Sequence, residues 1–129
     1  MSNFLAIATV TAALKRLLQA AASQAVTGAV VRTGRPEAPA NGGVVAPGID
    51  LYLFQVTPNP ALVNDDLPTR RADASVIQRP RLALDLHYLL TFRGNETDLE
   101  PQRLLGNATR SLHATPFISQ NLIALALFR

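Results

Sequence analysis

The sequence predicts an α+β fold, written equally as α/β: a small mixed or antiparallel sheet packed by an N-terminal helix and a helix near residues 98–114. Three observations predict it. Apolar residues recur at three-to-four spacing from Phe4 to Ala21, the signature of one helical face. Two runs, residues 49–56 and 81–93, have the composition of strands. A Thr-x-x-Glu pair at Thr97 and Glu100, followed by Pro101, marks a helix start.

Size and composition set the frame. The chain has 129 residues, of which 48% are hydrophobic and 16% charged. That balance supports one domain with a real core and argues against disorder. With 5% aromatics and no Trp, the core must come from Leu, Val, Ile and Ala. No cysteine is present, so disulfides, Cys-ligated zinc and thiol catalysis are excluded. The net charge is +3 and only one basic residue, Lys15, is not arginine. The arginines are scattered rather than gathered on one face with aromatics between them, so nucleic acid is not expected as a partner. No apolar run approaches the ~20 residues of a membrane span, and charge follows the N-terminal apolar residues instead of preceding them. No direct membrane insertion is expected.

The elements follow in order. Ser2 or Asn3 is the expected N-cap of the first helix. Phe4, Ile7, Thr11, Leu14, Leu18 and Ala21 form its stripe, Lys15, Arg16, Gln19 and Ser23 lie mainly on the other side, and Gly28 ends it. Residues 29–33 are a short β-branched strand. Residues 34–48, rich in Gly, Pro and Ala, form a flexible loop with room for a small hairpin at Val44 and Val45. Residues 49–56 make a strand apolar on both sides, with Ile49, Leu51 and Leu53 on one and Tyr52, Phe54 and Val56 on the other. Such a strand needs cover on both sides, from a helix, a second sheet or a neighbouring subunit.

Residues 57–80 form a long connection stiffened by Pro58, Pro60, Pro68 and Pro80, with an edge pairing at Val76 and Ile77. In residues 81–93 strict alternation sends Leu82, Leu84, Leu86, Tyr88, Leu90 and Phe92 to a core face. The opposite face carries Asp85, His87 and Arg93. The second helix buries Leu105, Ala108 and Leu112, helped by Leu104, with Arg103 and Arg110 on its wet side and Pro116 closing it. Residues 120–129 are apolar nearly all round and lack a C-cap, so the natural protein is expected to continue past Arg129.

The chemistry-bearing residues are sparse. Asp85 and His87 share a strand face, but no nucleophile in a Gly-x-Ser-x-Gly elbow accompanies them, and a polar strand face is the simpler account. His87 and His113 lack metal-ligand spacing. Asp65 and Asp66 with Asn59 and Asn64 lack the alternation and terminal glutamate of a calcium loop. Glycines follow neither nucleotide-binding pattern. No cofactor, metal or catalytic residue is expected. Arg70 and Arg71 fit either a grip on a carboxylate-rich partner or a solvated loop.

Five ordered runs carry a family resemblance: SNFLAIATVTAALKRLL, LYLFQVTPNPAL, NDDLPTRR, RPRLALDLHYLLTF and LEPQRLLGNATRSLHATP. Together they resemble the N-terminal domain of the cap, or tail-terminator, proteins of phage-tail-like extracellular contractile injection systems. The resemblance implies a non-enzymatic subunit assembled in the cytoplasm into a particle that can be released. It implies a homohexameric ring that ends the sheath and inner tube, with those two proteins as partners. An adaptor or baseplate-side component of the same particle, and a small hydrolase using Asp85 and His87, are the alternatives. Within that frame we place Asn59, Asn64, Asp66, Leu67, Arg70, Arg71, Asp85 and His87 at contacts with neighbouring subunits or sheath.

Overall fold

The computed structural model describes residues 4–36, 46–59, 69–70, 76–78 and 83–118. Its elements are α1 (Ala6–Ala25), β1 (Val30–Thr33), β2 (Gly48–Pro58), β3 (Thr69–Arg70), β4 (Val76–Gln78), β5 (Leu84–Arg93) and α2 (Glu100–Ala114). Two helices and a three-stranded mixed sheet of order β1-β2-β5 establish the α+β class. The chain divides into two compact units: Met1–Tyr52 with Leu89–Arg129, and Leu53–Tyr88.

In the first unit α1, β1, the start of β2 and α2 supply the core. Ala13, Leu18, Ala21, Ala22, Val26, Ala29, Val31, Ile49, Leu51, Leu104 and Ala108 are buried. Small alanines on α1 let α2 approach closely, so few large side chains are needed to fill the space. The helix stripe is shorter than the spacing predicts. Phe4 is 91% exposed and Ile7 sits at the surface, whereas Leu18 and Ala21 are buried as expected. Residues 1–3, where the Ser2 or Asn3 cap was expected, lie outside the described residues. Leu5 occupies the N-cap without a side-chain cap bond.

Side chains from the two helices complete backbone pairing that the elements leave open. β1 pairs with β2 in parallel, Val30 opposite Gly48 through Thr33 opposite Leu51. Its other edge is met by a side-chain amide. Gln19 donates from Nε2 to the Ala29 carbonyl at 2.9 Å and accepts the Val31 N–H on Oε1 at 2.9 Å. Gln19 therefore acts as a stand-in strand, not as part of the wet side that the spacing predicts. From α2, Asn107 donates to the Ala21 carbonyl at 2.6 Å and Arg103 to the Ala25 carbonyl at 2.7 Å. Ala25 is the last helical residue of α1, where carbonyls lack intrahelical partners and a cation is favoured. These two bonds turn the 103–104–107–108 line of α2 toward α1. The buried stripe is accordingly Leu104 and Ala108, with Leu105 49% exposed and Leu112 half-buried, a correction to the expected Leu105 stripe.

The start of α2 differs from expectation for a local reason. Asn95 accepts the Thr97 N–H on its side-chain oxygen at 2.9 Å and donates to Asp98 at 3.2 Å. This Asx turn engages Thr97 through its backbone, and no Thr97–Glu100 capping box forms. Leu99 becomes the N-cap in the left-handed region, φ 57°. The tight entry brings Glu100 Cβ to 2.6 Å from where a Cβ on Gly94 would stand, so glycine is required there.

β2 is covered on both sides only over its first residues. Gly48, Ile49, Asp50 and Leu51 are all buried, Tyr52 and Leu53 are half-buried, and Phe54, Gln55 and Val56 are exposed. β1 ends opposite Leu51, which is where the cover ends. A Cβ on Gly48 would collide with the Val30 carbonyl oxygen and the Arg93 guanidinium.

Asp50, 3% exposed, is the one charged residue of this core among those described. Its Oδ1 accepts Nε–H from Arg93 at 3.0 Å and from Arg32 at 3.2 Å. Arg93 also donates Nη1–H to the Ala46 carbonyl at 2.7 Å and Nη2–H to the Val30 carbonyl at 3.3 Å. β5 carries the rest of its apolar alternation half-buried. Leu84, Leu86, Tyr88, Leu90 and Phe92 are none of them fully enclosed, so the expected core face is a partly covered one. Residues 37–45 of the Gly/Pro loop, with Val44 and Val45, and residues 119–129 lie outside the described residues.

Two stability outcomes follow from these bonds. Gln19→Leu strands a buried N–H and a buried carbonyl, and should lower unfolding free energy by about 1–3 kcal/mol. Equilibrium urea unfolding measures it, and a change within error would mean that the β1 edge does not depend on this amide. Asp50→Ala leaves the Arg93 guanidinium, with its side chain 11% exposed, without its counter-charge. It should cost about 3–5 kcal/mol. Arg32→Ala removes a partner that is 56% exposed and should cost under about 1 kcal/mol. Equal losses in the same unfolding experiment would contradict this ranking.

Candidate functional site

In the second unit, β2 and β5 run antiparallel, since Thr57 meets His87 and Asn59 meets Asp85, one number rising as the other falls. This ribbon brings three of the sequence-predicted residues together. Asn59 donates from Nδ2 to Asp85 Oδ1 at 2.9 Å, and its backbone N–H donates to the Ala83 carbonyl at 3.0 Å. His87 Nε2 lies 3.2 Å from Thr57 Oγ1. The His87 ring also lies 6.3 Å from the Phe54 ring, tilted by 57°.

Asp85 and His87 are thus on the same strand and each bonds to β2. Among the described residues no hydrogen bond joins the two, so the imidazole is oriented by a threonine rather than by the carboxylate. A carboxylate held by an amide and an imidazole held by a hydroxyl form a polar ladder between the two strands. Such a ladder can present hydrogen-bonding groups to a partner surface. Phe54 and Val56 stand exposed on the same segment of β2, at 52% and 42%.

Arg70 lies in β3, which pairs antiparallel with β4: Thr69 opposite Gln78 and Arg70 opposite Val76, with an irregularity between the two pairs. This is the pairing expected at Val76 and Ile77, realised as a two-stranded hairpin. Asn64, Asp66, Leu67 and Arg71 lie outside the described residues, as does Asp65. His113 is exposed in the last turn of α2. Among the described residues no group of three His, Asp or Glu side chains is placed to hold a metal ion, and no helix is long and apolar enough to cross a membrane.

Sequence reasoning missed Asp50, Arg32 and Arg93 as a group. The signal was present: one carboxylate inside GIDLYLF, a run otherwise apolar on both sides, must find a cation when it is buried.

The family model described as the Pvc16 N-terminal domain matches residues 9–127. The match covers nearly all of the chain, and the chain belongs to this family. That membership associates it with phage-tail-like injection systems. Neither the curated proteins nor the solved structures provide a match.

The ladder makes a measurable claim of its own. In a double-mutant cycle of Asn59→Ala and Asp85→Ala, the coupling energy should be about 1 kcal/mol, as for a hydrogen bond to a charged acceptor that is partly open to water. Additive losses would show that the two side chains do not support each other in solution.

Proposed function

We propose that this member of the Pvc16 N-terminal domain family is a structural capping protein. It ends the sheath and inner tube of a contractile, phage-tail-like particle by forming a ring at the distal end. The observation that carries the reading is the family match over residues 9–127, which associates the chain with phage-tail-like injection systems. The ribbon of β2 and β5 supplies a physical means. Over residues 48–51 β2 is enclosed by its own chain, whereas Phe54 and Val56 remain open beside a polar ladder.

In this proposal the exposed half of β2 is covered by a neighbouring copy in a homohexamer, with Asn59, Asp85, His87 and the hairpin carrying Arg70 at the contact. Asn64, Asp66, Leu67 and Arg71 belong to the same proposed contact set by their place in the sequence. Equivalent head-to-tail contacts close a ring when the rotation between copies divides the circle. One face of the ring accepts the last sheath and tube subunits, and the other offers no continuation. The role needs no cofactor, nucleic acid, membrane insertion or catalysis. Assembly takes place in the cytoplasm, and the finished particle can leave the cell.

Two outcomes are expected. Electron microscopy of particles from producer cells lacking the gene should show tubes and sheaths of unregulated length or unstable ends. Particles of normal length with intact ends would overturn the capping role. Phe54→Asp should give the same particle phenotype while lowering the thermal unfolding midpoint of the isolated chain by no more than a few degrees, because Phe54 is 52% exposed in it. Normal particles from that variant would remove the exposed half of β2 from the interface. A terminal ring found at the baseplate pole would instead identify an adaptor.

A further inference from the structure

The first unit contains a cavity of about 230 Å³ lined, among the described residues, by Arg32, Thr33, Gly34, Arg35 and Asp50. It is smaller than the few hundred Å³ typical of small-molecule pockets and suits a single inserted side chain. Its charge is unbalanced. Among the described residues, Arg32 and Arg35 in the lining and Arg93, which bonds Asp50, set three guanidiniums against one carboxylate. Arg32 meets Asp50 through Nε alone, at 3.2 Å, and its side chain is 56% exposed. Arg35, which is exposed, stands with its guanidinium carbon 6.0 Å from the centre of the Tyr52 ring, at the outer range of a cation–π contact. The carboxylate is incomplete in the opposite sense. Both arginine bonds go to Oδ1, and the buried Oδ2 of Asp50 has no hydrogen-bond partner among the described residues. The Asp50 side chain is only 4% exposed, so water does not reach that oxygen freely.

The site therefore wants two things at once: an acceptor for Arg32 and Arg35, and a donor for Asp50. A bare anion offers only the first. A protein segment carrying an Asp or Glu side chain offers both, since the carboxylate is followed within a few bonds by a backbone N–H. We propose that this cavity is a docking site for an acidic segment of a partner protein. The partner carboxylate bridges Arg32 and Arg35, and a neighbouring N–H satisfies Asp50 Oδ2. Arg32, anchored at one atom, is the wall that moves to admit it. Charge-assisted bonds from two guanidiniums supply the strength and the preference for carboxylate over amide. The inference goes beyond the capping role and does not depend on it. Tail-length imaging and the binding test below can fail separately.

The test uses the isotopically labelled chain and the peptide N-acetyl-Gly-Glu-Gly-amide, followed by nuclear magnetic resonance at the Gly34 amide and the arginine Nε–H signals. The peptide should shift the Gly34, Arg32 and Arg35 signals with a dissociation constant on the order of 1 mM. The Gln counterpart should bind at least about tenfold more weakly, as should the Glu peptide to Arg35→Gln or Arg32→Gln. Both variants should keep the parent's thermal midpoint to within a few degrees, since neither residue is buried. Sodium acetate should bind at least about tenfold more weakly than the Glu peptide, because it cannot donate to Asp50. Absence of shifts up to about 10 mM peptide would overturn the site. Equal binding of acetate would reduce it to a general anion site, and unchanged binding by Arg35→Gln would place the contact elsewhere.

Discussion

The first unit depends on one buried carboxylate and the arginine that answers it. Asp50 sits between Ile49 and Leu51, both essentially inaccessible, so its charge must be matched within the protein. Arg93 does this from the end of β5, and two of its remaining N–H groups reach the carbonyls of Ala46 and Val30. A single planar guanidinium thus ties the end of one strand to the first residue of β1, to the approach to β2 and to the centre of the β2 register. Lysine offers a point charge and no fork, and could not make these three directed bonds together. Gly48 belongs to the same arrangement, because a side chain at that position would occupy the space of the Val30 carbonyl and the guanidinium. Sequence-distant positions 30, 46, 48, 50 and 93 are therefore one cooperative element.

A second regularity is the use of long polar side chains as substitutes for backbone. The small core cannot surround every strand edge and helix end with further elements. Gln19 takes the place of a strand along the outer edge of β1, which also blunts an edge that would otherwise invite pairing with another chain. Arg103 does for the end of α1 what a capping motif does elsewhere, and Asn107 adds a second bond to the Ala21 carbonyl one turn earlier. These bonds orient as well as stabilise. By fixing one line of α2 against α1, they decide that Leu104 rather than Leu105 is the buried leucine.

Periodicity made the elements legible and left their rotations undetermined. α1, β1, β2, β5 and α2 were each marked by apolar spacing, and the Val76 pairing by a short apolar run in a polar connection. The rotation of α2 was not, because Leu104 and Leu105 are equally apolar and the deciding bonds go to alanine carbonyls, which carry no sequence signature. The α2 cap was misassigned for a related reason. Thr97 and Glu100 satisfy a local pattern, but Asn95, two residues earlier and at the turn, engages the Thr97 N–H with its own side chain. Of the candidate site, Asp85 and His87 were legible as a shared strand face. Asn59 was legible as a contact residue but not as the partner of Asp85, and Thr57 was not legible at all, since both lie about thirty residues away and become neighbours only through antiparallel pairing.

β2 gives the strongest physical support for the proposed assembly. An apolar pattern on both sides of a strand states a demand for cover but not its source. In this chain the demand is met for residues 48–51, where β1, the Arg93 bonds and the helical core enclose the strand. Beyond Tyr52 the same pattern continues through Phe54 and Val56 without cover from the described residues. Phe54 and Val56 each keep roughly half of their surface open to water, and that part of their apolar area gains nothing from folding of this chain alone. The pattern is economical if that half of the strand completes its burial against another chain. The polar ladder beside it would then fix the register of the contact, as charged and hydrogen-bonded pairs do better than apolar area alone. Folding and association would draw on one strand, divided where β1 stops.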